Sequence, residues 1–136
     1  MDIEKNKELV RQITEQLWNG RAYDKIPEFY AEDYVADYSP YAIHHGLEGI
    51  RGMVERAYTT FTDYHEELRE MIAEGDMVVL RITISGFQTG QWGPLPPSGK
   101  RVEFDEAIFL RLRDGKVVHQ RGIVDNLAAL RQLGRA

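Results

Sequence analysis

The residues best placed to do chemistry lie near the end of the chain, in a strand predicted for Lys116–Val124. An Asp-Gly turn at 114–115 precedes this strand, because glycine adopts positive φ and aspartate bonds its own backbone. Side chains alternate along a strand, so His119, Arg121 and Asp125 project from one face. Three ionisable groups on one face make it the first candidate for acid/base chemistry.

Asp125 stands where this strand becomes a helix, and its position allows two interpretations. As an N-cap it would stabilise the helix by about 1 kcal/mol and take no part in chemistry. As a carboxylate at the rim of a curved sheet it would project into a pocket and act as a general acid/base. Asn126 is also a good capping residue, so both interpretations stay open.

The composition is that of one soluble globular domain covering residues 1–136, with 43% hydrophobic and 29% charged residues. The net charge of -5 comes without a cluster of Lys and Arg, so nucleic acid and anionic membranes are not expected partners. The absence of cysteine excludes disulfides and thiolate catalysis. A charged, amphipathic N-terminus without a long apolar run leads us to expect a cytoplasmic protein.

Hydrophobic periodicity predicts helices first and then an antiparallel meander. The predicted helices cover 3–18, 24–30, 47–61 and 126–133, and the predicted strands cover 34–38, 64–72, 77–87, 101–112 and 116–124. This order predicts an α+β fold in which the helix 47–61 packs across the concave side of a curved mixed sheet. The residues 44–46 are predicted to form a loop.

Several familiar site motifs are missing from the sequence. The four histidines at 44, 45, 65 and 119 form no HxxxH or HxH pair with a suitably spaced carboxylate. GxGxxG, P-loop and GxSxG patterns are also absent. We therefore expect no metal and no cofactor, which leaves carboxylate or histidine acid/base chemistry in an apolar pocket.

Seven short segments are individually weak patterns but specific in their order and spacing. They are 47–50, 61–63, 73–76, 90–100, 114–117, 125–127 and 132–134. With these segments the chain resembles, over nearly its whole length, the SnoaL-like polyketide cyclases, or ester cyclases, of the NTF2-like superfamily. The resemblance implies a cone-shaped, strongly curved sheet closed by helices, and a homodimer.

The resemblance also implies a reaction and the residues that perform it. It implies a cofactor-free intramolecular aldol condensation of a small hydrophobic or polyketide-like carbonyl ligand, with Asp125 at the position of the family's general acid/base. Two positions depart from the family pattern: Asp37 stands where many relatives have histidine, and Arg121 where many have tryptophan. Both departures are expected to bring charge into the pocket, so we include Asp37 and Arg121 with Asp125 as catalytic candidates.

Six further residues are candidates for substrate contact. They are Tyr34, Tyr38, His45, Trp92, Phe109 and His119. Five of them have a structural alternative: Trp92 is either a lid over the cavity or a dimer contact, the other three aromatic residues suit a core, and His45 suits a solvated loop.

Two other functions fit the same resemblance. An epoxide hydrolase-like enzyme would use Asp37, Arg121 and Asp125 to activate water, although residues 81–83 lack the Arg-x-Asp spacing of that branch. A non-catalytic module that binds a small molecule is the third possibility.

Overall fold

The helices of this computed structural model, which describes residues 2–136, precede most of the sheet, except for the last helix, which follows it. They are α1 (Ile3–Gln12), which continues as a π-helical segment (Ile13–Trp18), a 3-10 turn (Tyr23–Lys25), α2 (Ile26–Phe29), α3 (Gly46–Thr60) and α4 (Asn126–Gln132). Asp2 caps α1 by accepting a hydrogen bond from the Lys5 backbone N–H at 3.0 Å. None of these helices combines the length and the apolar character that a bilayer crossing requires.

Six strands form one mixed sheet in the order β2-β1-β6-β5-β4-β3. They are β1 (Tyr30–Tyr38), β2 (Ala42–His45), β3 (Phe61–Glu74), β4 (Met77–Gln88), β5 (Arg101–Arg113) and β6 (Lys116–Val124). β1 and β6 are parallel, and every other pair is antiparallel. The predicted α+β fold is confirmed. The predicted loop at 44–46 was wrong, because Ala42–His45 pairs with β1 as an edge strand.

The sheet curves around the helices. The pairing of β3 with β4 shifts register between Thr62 and His65 and again between Leu68 and Glu70, and such irregularities bend a strand and increase its twist. α3 packs against both β1 and β3, and its own residues Ile50 and Val54 are fully buried at this contact. Its predicted position on the concave side is confirmed, so the inner face of the sheet and α3 together enclose the interior.

The outer face of the sheet carries apolar side chains that solvent reaches. Ile43, Ile72 and Ile123 are 52%, 70% and 63% exposed, and Val79 and Phe109 pair across the strands between them. The homodimer stays a prediction, and this apolar outer face is the surface through which two copies would pack.

Light scattering should give about twice the chain mass of 15.7 kDa, and Ile123→Asp on the outer face should halve that value. A monomer at high concentration would contradict it.

Candidate active site

A cavity of about 420 Å³ opens between α3, the start of β3, the loop after β4 and the end of β6. Met53 and Ala57 line it from α3, and Tyr64, Phe104 and Val124 line it from the sheet. Most of these side chains are apolar, as expected for a pocket that binds a small organic molecule. A larger hollow of about 680 Å³ near the β5–β6 turn contains no buried acid and is bordered by exposed ion pairs.

Trp92 forms part of the cavity wall. Its ring stacks on Phe104 with centroids 5.3 Å apart and meets the edge of Phe61 at 5.1 Å. The loop holds this position because Trp92 and Leu95 exchange two backbone hydrogen bonds of 2.9 Å, and because Gln88 Nε2 donates to two carbonyl groups of the same loop. Trp92 therefore lies at the cavity, and its contact with a substrate stays a prediction.

A buried carboxyl group lies on β5 behind residues that line the cavity, without lining it itself. Glu106 follows the cavity-lining Phe104 by two residues, pairs with Val124 of β6, and is only 8% exposed. The Tyr38 hydroxyl donates to Glu106 Oε2 at 2.7 Å and accepts from Gln120 Nε2 at 2.8 Å. Burial raises the Glu106 pKa to about 7, and the Tyr38 hydrogen bond only partly offsets this rise.

A second buried carboxyl group lies on β3. Glu66 is 5% exposed, and the hydroxyl of the cavity-lining Tyr64 donates to its Oε2. Asn19 fixes the Glu66 backbone through two hydrogen bonds of 2.8 Å. Burial raises the Glu66 pKa to about 8, the Tyr64 hydrogen bond opposes this, and the charge of Glu106 raises it further. The two glutamates are thus electrostatically coupled groups of the same interior.

The interior polar network continues to β1. The Tyr34 hydroxyl donates to Gln120 Oε1 at 2.6 Å, and Gln120 in turn donates to Tyr38. Tyr34 and Gln120 are almost fully buried. The side-chain polar groups of Tyr34, Tyr38 and Gln120 are therefore hydrogen bonded, which fixes the orientation of the Glu106 carboxyl group.

Gly122 makes room for this network. A Cβ atom built at this position would overlap both Glu106 Oε2 and the Tyr38 ring. We expect Gly122→Ala to lower the free energy of unfolding by about 1–3 kcal/mol, because overpacking displaces the surrounding groups. Urea unfolding measures this change. Gly52→Ala is the control, since its Cβ would meet only the flexible end of Arg56 at 3.1 Å; equal losses in both variants would contradict the assignment.

The charged face of β6 points away from the cavity, which corrects the sequence-based expectation. His119 and Arg121 are exposed, whereas Gln120 on the opposite face is buried. Asp37 also lies on the outer face, where its Oδ2 is 3.7 Å from Arg121 Nη1. The expectation that both charges line the pocket was wrong, because burying them would cost several kcal/mol whereas the Gln120 face buries cheaply.

Asp125 is the N-cap of α4. Its Oδ1 accepts a hydrogen bond from the Ala128 backbone N–H at 3.1 Å, and the residue is exposed. Its neighbours Val124 and Asn126 line the cavity, but Asp125 does not. The pocket position expected for this carboxylate is therefore not observed, and its catalytic role stays a prediction.

The remaining sequence candidates fall into three places. Tyr34 and Tyr38 belong to the interior network, whereas Phe109 faces outward beside Arg121. His45 is exposed and occupies the position before α3 without capping it through its side chain. The expectation that Phe109, His45 and His119 contact a substrate in the cavity does not agree with these positions.

Glu66 and Glu106 were missed by sequence reasoning, although a signal was present. Glu106 interrupts the apolar alternation of Phe104, Ile108 and Leu110, and Glu66 shares a strand face with Tyr64. A carboxylate on an otherwise apolar strand face is either buried with hydrogen-bond or ion-pair partners, or it destabilises the fold. Across residues 2–136, no three His, Cys, Asp or Glu side chains converge to hold a metal ion.

The family follows from comparison with known proteins. The profile of the SnoaL-like polyketide cyclases matches residues 8–133, nearly the whole chain. The chain belongs to the SnoaL-like polyketide cyclase family. The resemblance seen in the sequence is confirmed, and structural neighbours extend to the ketosteroid isomerase-like fold, in agreement with the NTF2-like cone.

Individual relatives of this SnoaL-like protein are similar over most of their length. Aklanonic acid methyl ester cyclase DnrD of Streptomyces peucetius is 28% identical over 134 residues, covering 93% of this chain and 89% of the relative. Nogalonic acid methyl ester cyclase of Streptomyces nogalater is 27% identical over 120 residues, covering 86% and 89%. The structure of TsrD from Streptomyces laurentii superimposes with a TM-score of 0.89 at 26% identity, covering 100% and 99%.

Proposed function

We propose that this protein is a cofactor-independent cyclase that closes a ring in a polyketide-like carbonyl compound, with Glu106 as its general base. The observation that carries the proposal is a buried carboxyl group, with a pKa raised to about 7, two residues along β5 from Phe104 in the aromatic wall of the cavity and paired with the cavity-lining Val124. A base is most effective when its pKa lies near the working pH. The family membership supports the class of reaction.

The ring closure requires one proton to be removed and one returned. The Glu106 carboxylate takes a proton from the carbon beside a carbonyl group, and the electrons of the broken C–H bond form an enolate. The enolate carbon attacks a second carbonyl carbon of the same molecule, and the new C–C bond closes the ring. Protonated Glu106 then returns its proton to the second carbonyl oxygen, so the product is an isomer of the substrate.

Tyr64 supplies the hydrogen bond that stabilises the enolate oxygen in this proposal. Glu66, with a pKa near 8, is mainly protonated at neutral pH. In the structure the Tyr64 hydroxyl donates to Glu66; in this proposal neutral Glu66 donates to Tyr64 instead, and the Tyr64 hydroxyl then donates to a ligand oxygen. A preorganised donor in a low-dielectric site is among the largest contributions to such catalysis.

Asp125 is the competing base, because the family resemblance points to it and its neighbours border the cavity. We prefer Glu106 because an exposed cap has neither the burial nor the orientation that the step needs. The hydrolase alternative depended on Asp37, Arg121 and Asp125, and no observation brings these three together at the cavity.

The test is ring closure by the purified protein without added cofactor. Aklanonic acid methyl ester, the compound named for one relative, is a suitable probe, and chromatography resolves substrate from cyclised product. We expect conversion above the rate in buffer. If the probe binds but its ring does not close, the non-catalytic binding module becomes the better description.

A further inference from the structure

Among residues 2–136, Arg56 is the one charged side chain that lines the 420 Å³ cavity. Within residues 2–136 it forms no ion pair with a carboxylate. Arg51, five residues earlier on the same helix, lies 3.6 Å from Glu55 and stacks over Tyr23. The guanidinium of Arg56 is thus a cation at the cavity without an internal counterion.

The surroundings hold Arg56 in place. Its Nη2 donates to His44 Nδ1 at 3.3 Å, and its Nη1 lies over Gly52, where a Cβ would approach to 3.1 Å. Gly49 makes similar room for His44, since a Cβ there would lie 3.2 Å from the His44 backbone. Glycine is unfavourable inside a helix, so two glycines on one face of α3 indicate that the space beside them is needed for Arg56 and His44.

His44 suits the role of a neutral support. A guanidinium only donates hydrogen bonds, so the His44 Nδ1 that receives one carries no proton. Burial lowers the His44 pKa and the charge of Arg56 lowers it further, so the imidazole does not compete for an anion. The remaining N–H groups of Arg56 are left for a ligand, because each guanidinium has five donors.

We propose that the substrate of this site carries a free carboxylate, held by Arg56, on a planar ring body that packs against Trp92, Phe61 and Phe104. The proposal rests on the proposed function and adds the substrate class. The other polar side chains that line the cavity, such as Gln91 and Asn126, are neutral, so Arg56 is the lining group that attracts a negative charge. The substrate would then differ from the methyl esters for which two relatives are named.

The test compares an acid with its ester. Naphthalene-2-carboxylate and its methyl ester are probes with the same ring, and the acid is fully ionised at about pH 7.5. Isothermal titration calorimetry should show the carboxylate binding about tenfold more tightly to the wild-type protein. Arg56→Gln should abolish this preference and leave ester affinity unchanged. Arg51→Gln, on the same helix but outside the cavity lining, should retain the preference.

The outcomes separate this inference from the proposed function. Equal binding of acid and ester by the wild-type protein, or a preference that survives Arg56→Gln, would overturn the role of Arg56 and leave Glu106 as the base. Binding of neither probe would count against the cavity as a ligand site and so against both proposals. Circular dichroism should show that both arginine variants are folded, because both side chains are exposed.

Discussion

Glu106→Gln should slow ring closure by about 10²–10⁴-fold, which is the usual contribution of a positioned general base. Glutamine has nearly the same shape and can still accept the Tyr38 hydrogen bond, so the variant should fold. It cannot take up a proton at neutral pH. In the wild-type protein, kcat/KM should rise with pH through about 7, because the carboxylate is the active form. Steady-state rates of ring closure with aklanonic acid methyl ester measure both effects.

Two matched variants separate Glu106 from other carboxylates. Glu103→Gln changes an exposed residue on the same strand, where it pairs with Arg101, and should retain full activity. Asp125→Asn keeps the capping ability of that position and should change neither rate nor melting temperature. If Asp125→Asn loses activity while Glu106→Gln retains it, the family-based assignment of Asp125 is correct and the Glu106 proposal is wrong.

The sequence predicted the fold because the relevant signals are local. Leu47, Ile50 and Val54 recur at helical spacing, and the Asp-Gly turn at 114–115 separates two alternating strands as predicted. The edge strand Ala42–His45 was missed because four residues rich in histidine carry no periodicity. Its pairing with β1 is a tertiary effect, which no short sequence window contains.

The site was harder to predict because alternation divides a strand into two faces without saying which one is buried. In β6, we predicted chemistry for the face with His119, Arg121 and Asp125, yet Gln120 on the opposite face is the buried residue. The free-energy cost of desolvating charged groups determines which face is buried, because the face with fewer charges packs inward at a lower cost. The same argument singles out Glu106 as a candidate site residue, because it is the charged residue on a face of β5 whose other side chains pack into the core.

Glu66→Gln should make the protein more stable than wild type above pH 8 and remove part of its pH dependence. The wild-type Glu66 pKa rises from 4.5 in the unfolded chain to about 8 in the folded one, mainly through burial. Below about pH 4.5 both states hold the proton, so the shift has no effect there. Between the two pKa values the folded state keeps a proton that the unfolded state releases, so stability falls as pH rises.

The size of this effect follows from the shift in pKa. Each unit corresponds to 1.36 kcal/mol, so the free energy of unfolding should fall by about 2–5 kcal/mol between pH 4.5 and 8 through Glu66 alone. Glutamine at this position stays neutral and can still accept the Tyr64 hydrogen bond. Urea unfolding across this pH range should therefore show a gap between variant and wild type that widens with pH and stops widening above about pH 8.

Glu67→Gln is the control, because Glu67 is the next residue on β3 and lies on the opposite, exposed face beside Arg69. An exposed ion pair contributes at most about 1 kcal/mol, so its loss should shift the stability curve by a small and nearly constant amount. The contribution of His44 remains in all three proteins and cancels, whereas the effect of the Glu106 charge on the Glu66 pKa is part of the pH dependence that Glu66→Gln removes. Parallel curves for Glu66→Gln and wild type would mean that Glu66 is ionised in the folded state, and the proposed donation from neutral Glu66 to Tyr64 would then fail.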